Sequence, residues 1–371
     1  MSTFTPFDYR MMARALELAR KGQYTTTPNP NVGCVITLND EIVGEGFHIQ
    51  AGGPHAEVHA LAQAKDNARG ATAYVTLEPC SHYGRTPPCS QALIDAGIKR
   101  VVCAMKDPNP LVAGRGFAML REAGIEVEYG LLTDDAESIN PAFLHRMRKG
   151  RPWVQLKLAA SLDGRTALSN GESQWITSPQ ARRDVQRLRA KCGAILSTSQ
   201  TVCIDDASLN VRQDDLAADI RQHYPTSSIR QPLRVILDRQ HNLHDGLKLY
   251  QSDSPVLRVA EHDADICVGL DSDGNLALNE VLDTLANAHN VNHVWVEAGA
   301  TLAGALIRAQ LVDEIILYLA PKLMGGDARG LLDSLNLTSM GDVPALDILD
   351  MTTLGPDIRI TATLKSHSQN K

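Results

Sequence analysis

Four residues of this 371-residue chain, His55, Glu57, Cys80 and Cys89, have types and spacings that could do chemistry together. Imidazole nitrogen and thiolate sulfur are ligands that Zn²⁺ prefers, and a catalytic zinc site keeps its fourth position for water. The metal lowers the pKa of that water to about 7, which makes hydrolysis possible at neutral pH. Glu57, close to His55 in the chain, is placed to carry the proton. The pattern therefore predicts a hydrolytic zinc site with three protein ligands.

Two other interpretations of these residues are a structural zinc site and a disulfide between Cys80 and Cys89. A structural site is normally closed by a fourth cysteine or histidine, and only His82 stands near the two cysteines in the sequence. The order His-x-Glu, then Pro-Cys, then a further Cys is the signature of zinc deaminases, in which the glutamate is a general acid and base. This signature favours a catalytic zinc, with the disulfide as the remaining competitor.

Composition narrows the class of protein. The net charge of −7 argues against a non-specific nucleic-acid binder. Seven scattered cysteines and an N-terminus without a secretory signal favour reduced thiols, and no apolar run reaches the roughly 18 residues of a membrane helix. With 43% hydrophobic residues, the chain is long enough for about two or three domains. We expect a cytoplasmic protein with neither membrane nor nucleic acid as partner.

The elements around the four residues alternate between helix and strand. Apolar residues recur at helical spacing over 8–20, and Gly22 stops that helix. Residues 32–37 and 41–46 predict a hairpin, and His55 opens a helix over 55–68. Further strands are predicted over 71–78, 100–105 and 125–129, with helices over 89–96 and 117–123. The segment between Cys80 and Cys89 is rich in glycine and proline, so we predict a loop that contacts substrate.

Gly150-Arg151-Pro152 combines a helix stop with a residue that resists helix continuation, so we place the boundary between domains 1–149 and 150–371 there. Beyond it, Ser178 and Pro179 predict the start of a helix over 180–191. Strands are predicted over 153–160, 194–197, 233–238, 293–297 and 314–320. Residues 213–231 are polar and unpatterned, which predicts a surface loop. Both halves are therefore predicted to be α/β units with helices on both faces of a sheet.

Residues 297–304 run from an apolar strand into a helix through small residues, a place where free backbone N–H groups attract phosphate. Taken alone this pattern is weak, because small residues at such turns more often serve packing. The small-residue turn at 324–327 is equally ambiguous. An arginine-rich helix that contains Arg182, Arg183, Arg187 and Arg189 is usually a solvated face, although Arg189 could meet a phosphate.

Several stretches resemble one family, the bifunctional deaminase/reductase of riboflavin biosynthesis. They are residues 27–33, 55–60 and 76–89 in the first half, and 157–164, 173–177 and 297–304 in the second. Eight residues separate Cys80 from Cys89, whereas many other cytidine-type deaminases have two at this place. The resemblance implies a cytidine-deaminase-like three-layer N-terminal domain and a dihydrofolate-reductase-like α/β C-terminal domain.

The resemblance implies zinc and NADPH as cofactors and a phosphorylated pyrimidine as substrate. A ribosylaminopyrimidinone 5′-phosphate would be deaminated, and its ribose would then be reduced to a ribityl chain. Asn29 and His48 are expected to hold the pyrimidine, and His82 and Arg85 the phosphate. A nucleoside or tRNA deaminase with an unrelated second domain, or a structural zinc module that only binds a nucleotide, are the rival functions. The family also suggests a homo-oligomer.

In the second domain the resemblance implies two sets of contacts. Those expected for NADPH are Ala159, Trp175, Thr201, Asp205, Gly299, Ala300, Thr301, Leu302, Ala303, Gly304 and Ala305. Those expected for the substrate are Ser173, Arg189, Leu209, Arg212 and Glu297. Lys157 and Asp205 are expected near the hydride-transfer centre. Glu297 and Asp205 are candidates to supply or orient the proton, with helix capping as the alternative role for either.

Two positions depart from the family pattern. Ala207 stands where relatives often carry proline, which could loosen the turn that positions Asp205. Arg239 stands where relatives often have serine or threonine near the cofactor. Because arginine matches phosphate geometry, we hypothesise that Arg239 pairs with the 2′-phosphate of NADPH. An ordinary surface arginine is the alternative interpretation.

Overall fold

A computed structural model describes residues 4–82, 87–109, 113–222 and 230–365. Arg85, one of the expected phosphate contacts, lies outside these ranges. The chain divides into two compact units, Met1–Gly150 and Arg151–Lys371.

The N-terminal unit is built on one five-stranded sheet. Its strands are β1 (Gly33–Leu38), β2 (Glu41–Phe47), β3 (Thr72–Val75), β4 (Arg100–Cys103) and β5 (Glu126–Tyr129), and its helices are α1 (Pro6–Arg20), α2 (Ala56–Ala64), α3 (Cys89–Asp95), α4 (Arg115–Glu122), α5 (Thr133–Ile139) and α6 (Pro141–Lys149). The strand order is β2-β1-β3-β4-β5. The pairs β3-β4 and β4-β5 are parallel, and β1 pairs antiparallel with both β2 and β3.

Alternating side chains along the strands face two separate cores. Val35 and Tyr74 pack with apolar residues of α1, α5 and α6, whereas Ile36 and Val75 pack with those of α2, α3 and α4. A sheet whose two faces both carry buried side chains must be covered by helices on both sides. The result is the expected three-layer arrangement.

The C-terminal unit is built on a nine-stranded sheet. Its strands in chain order are β6 (Trp153–Ser161), β7 (Arg165–Ala167), β8 (Ala194–Thr198), β9 (Leu233–Leu237), β10 (Val256–Ala260), β11 (Ile266–Cys267), β12 (His293–Glu297), β13 (Glu314–Ala320), β14 (Arg329–Gly330), β15 (Leu346–Leu354) and β16 (Asp357–Leu364). The large sheet has the order β11-β10-β9-β8-β12-β6-β13-β16-β15, and β7 pairs with β14. From β11 to β13 neighbouring strands are parallel, and β16 and β15 close the sheet as antiparallel strands.

The helices of this unit are α7 (Pro179–Lys191), α8 (Ser199–Asp205), α9 (Ala218–Gln222), α10 (Leu278–Asn287) and α11 (Ala300–Arg308). Ser178 caps α7, since its hydroxyl accepts from the Ala181 N–H and Pro179 follows it, as the sequence predicts. Two cores lie on opposite faces of the sheet: Leu196 and Val296 belong to one, and Ile195 and Trp295 to the other. None of the helices in the described ranges is long and apolar enough to span a bilayer.

Two expectations about elements are wrong in part, and one pair of strands was missed. The helix predicted over 55–68 ends as an α-helix at Ala64, because Lys65 has a φ of 50°, and a 3₁₀ turn covers Lys65–Ala68. The expected loop at 213–231 contains a 3₁₀ turn, Gln213–Asp215, and the short α9. The antiparallel pair of β15 and β16 was not expected at all.

Candidate functional site

His55, Cys80 and Cys89 converge in the N-terminal unit. Their ligand atoms all lie within 4.8 Å of one another, with His55 Nδ1 3.3 Å from Cys89 Sγ and 3.6 Å from Cys80 Sγ. Separations of about 3.5 Å are what Zn–N and Zn–S bonds at tetrahedral angles require, so the donor set fits zinc. Both cysteines are free thiols, so the disulfide interpretation is wrong. Within the ranges that the structure describes, the cluster has no fourth protein ligand.

Helix starts hold two of the three ligands, and hydrogen bonds hold the third. His55 is the N-cap residue of α2, and Cys89 is the first residue of α3. The Cys89 N–H donates to Cys80 Sγ at 3.3 Å, and the buried Ser90 hydroxyl donates to the carbonyls of Pro79 (3.1 Å) and Cys80 (2.8 Å). The hydrogen bond with Cys89 lowers the pKa of the Cys80 thiol despite its burial. A thiolate, the form that binds metal, is therefore favoured at this position.

Glu57 lies in the first turn of α2 with only 3% of its surface exposed. Its Oε2 has no hydrogen-bond partner among the residues that the structure describes. Burial raises the pKa of this carboxyl, because the charged form loses its water. A buried carboxyl oxygen without a partner is costly unless a ligand or water meets it, so Glu57 is free to exchange a proton with a molecule bound beside the three ligands.

A cavity of about 320 Å³ joins these groups. It is lined by Asn29, Pro30, Val32, His48, His55, Glu57, Leu77, Glu78, Cys80, His82, Asp107, Asn109 and Phe143. On its wall Asn29 Nδ2 lies 3.1 Å from His48 Nε2, and His48 Nδ1 lies 3.0 Å from the Pro54 carbonyl. The Pro54 carbonyl can only accept and the Asn29 Nδ2 group can only donate, so Nδ1 carries the proton and Nε2 accepts; burial also lowers the pKa of His48. The cavity thus brings together Asn29, His48 and His82.

Asp107 and Asn109 line the same cavity and were missed in the sequence. They follow β4, which runs parallel to β3, the strand that leads to Cys80. Residues at the carboxyl ends of adjacent parallel strands meet at one edge of a sheet, and this rule could have found them. The Asn109 N–H donates to Asp107 Oδ1 at 2.8 Å, and burial raises the pKa of Asp107.

A second cluster lies in the C-terminal unit, where Lys157 and Glu297 are partners on the adjacent strands β6 and β12. Arg189 of α7, only 9% exposed, donates from Nε to Glu297 Oε1 (2.5 Å) and from Nη2 to Oε2 (2.9 Å). Burial alone would raise the pKa of Glu297, but the guanidinium outweighs it and the pKa falls to about 2. Arg189 therefore does not belong to a solvated face, and Glu297 is ionised. In the part of the chain that the structure describes, the Glu297 carboxylate accepts its hydrogen bonds from Arg189 and Trp295 and not from the first turn of α11.

Asp205, the last residue of α8, lies within electrostatic range of Lys157. Burial raises the pKa of Asp205 and lowers that of Lys157, so both groups are drawn towards their neutral forms. Leu209 is buried with a φ of 48°, and the neighbouring Asn210 carbonyl accepts from Arg189 Nη1 at 3.0 Å. The structure thus brings Lys157, Arg189, Asp205 and Glu297 together.

Arg212 is exposed and pairs with Asp215, Nε to Oδ2, at 2.5 Å. Its backbone N–H donates to Gln186 Oε1 of α7 at 2.9 Å, which ties this segment to the helix of Arg189. Ser173 is half-buried in the segment between β7 and α7. The geometry places neither residue in the charged cluster.

The residues expected to contact NADPH occupy several elements. Gly299 is the N-cap of α11, and Ala300 and Thr301 begin that helix, whereas Leu302, Ala303 and Gly304 are buried in packing contacts. The later part of the stretch therefore has the packing role, and Gly299, Ala300 and Thr301 lie at the N-terminus of the helix. Ala159 lies in β6, and Thr201 in α8 accepts a hydrogen bond from the Thr198 hydroxyl at 3.0 Å.

Trp175 is 63% exposed and has two cations beside it. The Arg182 guanidinium carbon lies 4.4 Å from the centre of the indole ring, and Lys322 Nζ donates to the Trp175 carbonyl at 2.7 Å. A flat apolar ring held in this way is ready to contact a ligand.

Ala207 and Arg239, the two positions expected to depart from the family pattern, lie in different surroundings. The Ala207 N–H donates to the Val202 carbonyl at 3.2 Å, a bond that proline could not make. Asp206 also accepts from the Lys248 backbone N–H at 2.9 Å and pairs with its ammonium, so the turn after Asp205 is tied down and not loosened. Arg239 is exposed and donates to the Gly274 carbonyl.

Comparisons with known proteins agree with both units. Residues 6–105 match the family model described as the cytidine and deoxycytidylate deaminase zinc-binding region, and residues 152–360 match the RibD C-terminal domain. The chain is 54% identical to the riboflavin biosynthesis protein RibD of Haemophilus influenzae, over 98% of this chain and 100% of that protein. It is 50% identical to RibD of Escherichia coli, over 95% of this chain and 98% of that one.

Solved structures show the same likeness. RibD of Acinetobacter baumannii is 44% identical and superimposes with a TM-score of 0.89, over 97% of this chain and 99% of that chain. A Thermotoga maritima protein is 31% identical with a TM-score of 0.83, over the same shares. The N-terminal cytidine-deaminase-like fold and the C-terminal dihydrofolate-reductase-like fold are confirmed. Zinc and NADPH are the cofactors of the two matched domains. Because both domains match and the relatives match over nearly their full length, the chain belongs to the bifunctional deaminase/reductase family of riboflavin biosynthesis.

Proposed function

We propose that this enzyme deaminates 2,5-diamino-6-ribosylamino-4(3H)-pyrimidinone 5′-phosphate in its N-terminal unit and then reduces the ribose to the ribityl chain in its C-terminal unit. The Thermotoga maritima relative is named as a diaminohydroxyphosphoribosylaminopyrimidine deaminase and a 5-amino-6-(5-phosphoribosylamino)uracil reductase. The observation that carries the proposal is the buried Glu57 Oε2, which has no hydrogen-bond partner among the described residues and lies in the cavity beside the cluster of His55, Cys80 and Cys89.

In the deaminase, His55, Cys80 and Cys89 would hold zinc, which when bound supplies a Lewis acid that acidifies water. Glu57 takes the proton of the attacking water and returns it to the leaving ammonia. Its raised pKa suits this task, because a carboxyl that is nearer to neutrality accepts and releases a proton with less cost. The burial of Glu57 also keeps bulk water away from that proton.

Recognition of the substrate in the deaminase falls to the cavity wall. The Asn29 amide and the His48 imidazole, fixed by each other and by the Pro54 carbonyl, are placed to orient the pyrimidine by hydrogen bonds. His82 lines the mouth of the same cavity. We propose His82 and Arg85 as the phosphate contacts, since a guanidinium can donate two parallel hydrogen bonds to phosphate oxygens.

In the reductase, NADPH supplies the hydride when bound, and the free N–H groups at the start of α11 suit its phosphates. Glu297, kept ionised by Arg189, can only accept hydrogen bonds, so we assign it to orienting the sugar hydroxyls. Asp205 and Lys157, drawn towards neutrality by burial, are the better candidates to move the proton at the reduced carbon. Ser173, Leu209 and Arg212 complete the proposed substrate contacts.

We further propose a cytoplasmic homo-oligomer, in keeping with the free thiols of all seven cysteines. β15 is the candidate surface for self-association, because it is a nine-residue edge strand of the large sheet. Leu346, Ile348, Leu349 and Met351 on this strand are 44–60% exposed. Long apolar edges of this kind are usually covered by another chain.

The decisive experiment supplies the purified protein with the diaminopyrimidinone phosphate and NADPH, and follows ammonia release and NADPH absorbance separately. We expect stoichiometric zinc, ammonia release without NADPH, and NADPH oxidation only after deamination. Ammonia release from cytidine or a tRNA adenosine, with none from this substrate, would reject the proposal in favour of the rival deaminase.

A further inference from the structure

Glu78, two residues before the ligand Cys80, is a buried carboxylate that the chemistry above does not use. It is 4% exposed, and within the described residues its hydrogen-bond donors are all backbone N–H groups. Oε2 accepts from Asp107 (3.1 Å) and Gly114 (2.9 Å), and Oε1 accepts from Gly116 (3.0 Å) and Phe117 (3.4 Å). These donors lie after β4 and in the first turn of α4. One side chain thus binds Asp107 and the start of α4 together.

The start of α4 depends on this carboxylate. Gly114 is the N-cap residue and has no side chain with which to cap the helix. The N–H groups of the first helical turn have no acceptor within their own helix, and a negative charge there also meets the positive end of the helix dipole. Glu78 therefore supplies from a distant part of the sequence the cap that the helix lacks.

The same helix start also lies against the segment that carries the metal ligand. A Cβ built on Gly116 would lie 2.1 Å from the Pro79 carbonyl oxygen, so only glycine permits this approach. That carbonyl also accepts from the Ser90 hydroxyl at 3.1 Å, next to the ligand Cys89. The 107–117 segment and the two cysteine ligands therefore share one set of backbone contacts.

Through Asp107 the connection reaches the cavity. The Asp107 N–H donates to Glu78, and Asp107 Oδ1 in turn accepts the Asn109 N–H at 2.8 Å. Asp107 and Asn109 both line the cavity beside Glu57 and His55. The position of Asp107 and Asn109 relative to the zinc ligands is thus set by Glu78, which stands two residues before Cys80 in the chain.

We propose that Glu78 is a positioning residue of the deaminase: it holds the Asp107–Asn109 wall at the correct distance from the zinc ligands, and so sets substrate affinity. This inference rests on the deaminase function proposed above. Because Glu78 acts on the wall and not on the ligands, its loss should weaken substrate binding and leave the metal in place. An interaction lost equally from the bound substrate and the transition state raises KM and leaves kcat nearly unchanged.

The test is Glu78→Gln, which keeps the shape of the side chain but turns an NH₂ group towards backbone N–H donors. Glu122→Gln, an exposed change at the other end of α4, is the matched control. We expect KM for the pyrimidine to rise about tenfold or more, as losing hydrogen bonds to a charged group implies, with kcat within about threefold of wild type. Zinc content and reductase activity should stay at wild-type levels, and amide exchange over 113–117 should accelerate.

Wild-type ammonia release comes first, because its failure would reject the proposed function and not the role of Glu78. Given an active wild type, an unchanged KM in Glu78→Gln, a loss of zinc, or a fall confined to kcat would each overturn the inference. Should Glu78→Gln fail to fold, Glu78→Asp retains the charge and withdraws it by one methylene group. A KM that rises in that variant, with zinc retained, supports the inference, and a KM like that of wild type contradicts it.

Discussion

The two units build their sites in different ways. In the N-terminal unit, the proposed zinc ligands and the proton carrier stand close together in the sequence: His55 and Glu57 lie at the start of α2, and Cys80 precedes Cys89, the first residue of α3, by nine positions. In the C-terminal unit, Lys157, Arg189, Asp205 and Glu297 come from four separate elements and meet only because β6 and β12 are neighbours. A site of the first kind can be read from local spacing, whereas a site of the second kind depends on strand order.

The largest effect that could break this comparison is expected for Glu57→Gln. The amide cannot carry the proton between water and the leaving amine, so ammonia release should fall by about 10²–10⁴-fold. NADPH oxidation on the deaminated intermediate should not change, because the reductase cluster lies in the other unit. The two assays on one preparation check both statements, and zinc analysis confirms that the metal site survives. A parallel loss of both activities would contradict two separate sites.

The contrast also explains what could be predicted from the sequence. His55, Glu57, Cys80 and Cys89 were found because zinc chemistry restricts both residue type and spacing. The roles in the second unit came from the family resemblance, since nothing local marks Lys157 or Asp205.

The residues and the strand that the sequence analysis did not identify also have physical explanations. Asp107 and Asn109 escaped because no local motif marks them: they reach the cavity only because β4 is the parallel neighbour of β3, and strand order was not predicted. The strand β15 escaped because Leu346, Ile348, Leu349 and Met351 are all exposed, so the strand lacks the alternation that reveals a half-buried edge.

A smaller effect, on stability, is expected for Arg189→Met. It leaves the Glu297 carboxylate buried without its guanidinium, and removal of one partner of a buried pair typically costs about 3–5 kcal/mol. The three tryptophans, Trp153, Trp175 and Trp295, all belong to the C-terminal unit, so urea unfolding followed by tryptophan fluorescence reports that unit. Arg187→Met on the same helix, where Arg187 pairs with Asp184, is the control and should cost less, because its side chain is 30% exposed.

The same variant makes a prediction for pH. The Glu297 pKa is about 2 in the folded protein and near its ordinary value of 4.5 when unfolded, so its charged form stabilises the fold above about pH 4.5. That contribution is lost as the pH falls from about 4.5 towards 2. The difference in unfolding free energy between wild type and Arg189→Met should therefore shrink as the pH falls through this range. Above pH 4.5 it should grow further and then level off, because burial raises the pKa of Glu297 once the guanidinium is gone. A difference that does not change over this range would mean that the Arg189–Glu297 pair is not what holds the pKa down.

The smallest effect concerns Arg239, the departure that separates this chain from the pattern of its family. Its guanidinium now donates to the Gly274 carbonyl at the surface, and that single bond leaves other donors for a 2′-phosphate. If Arg239 pairs with this phosphate, Arg239→Ala should reduce the preference for NADPH over NADH roughly tenfold, with NADH kinetics unchanged. Arg258→Ala, which removes another arginine that donates to a carbonyl in the same unit, is the control. An unchanged ratio of kcat/KM for the two cofactors would return Arg239 to the class of surface arginines, and cofactor choice would then rest with residues at the start of α11.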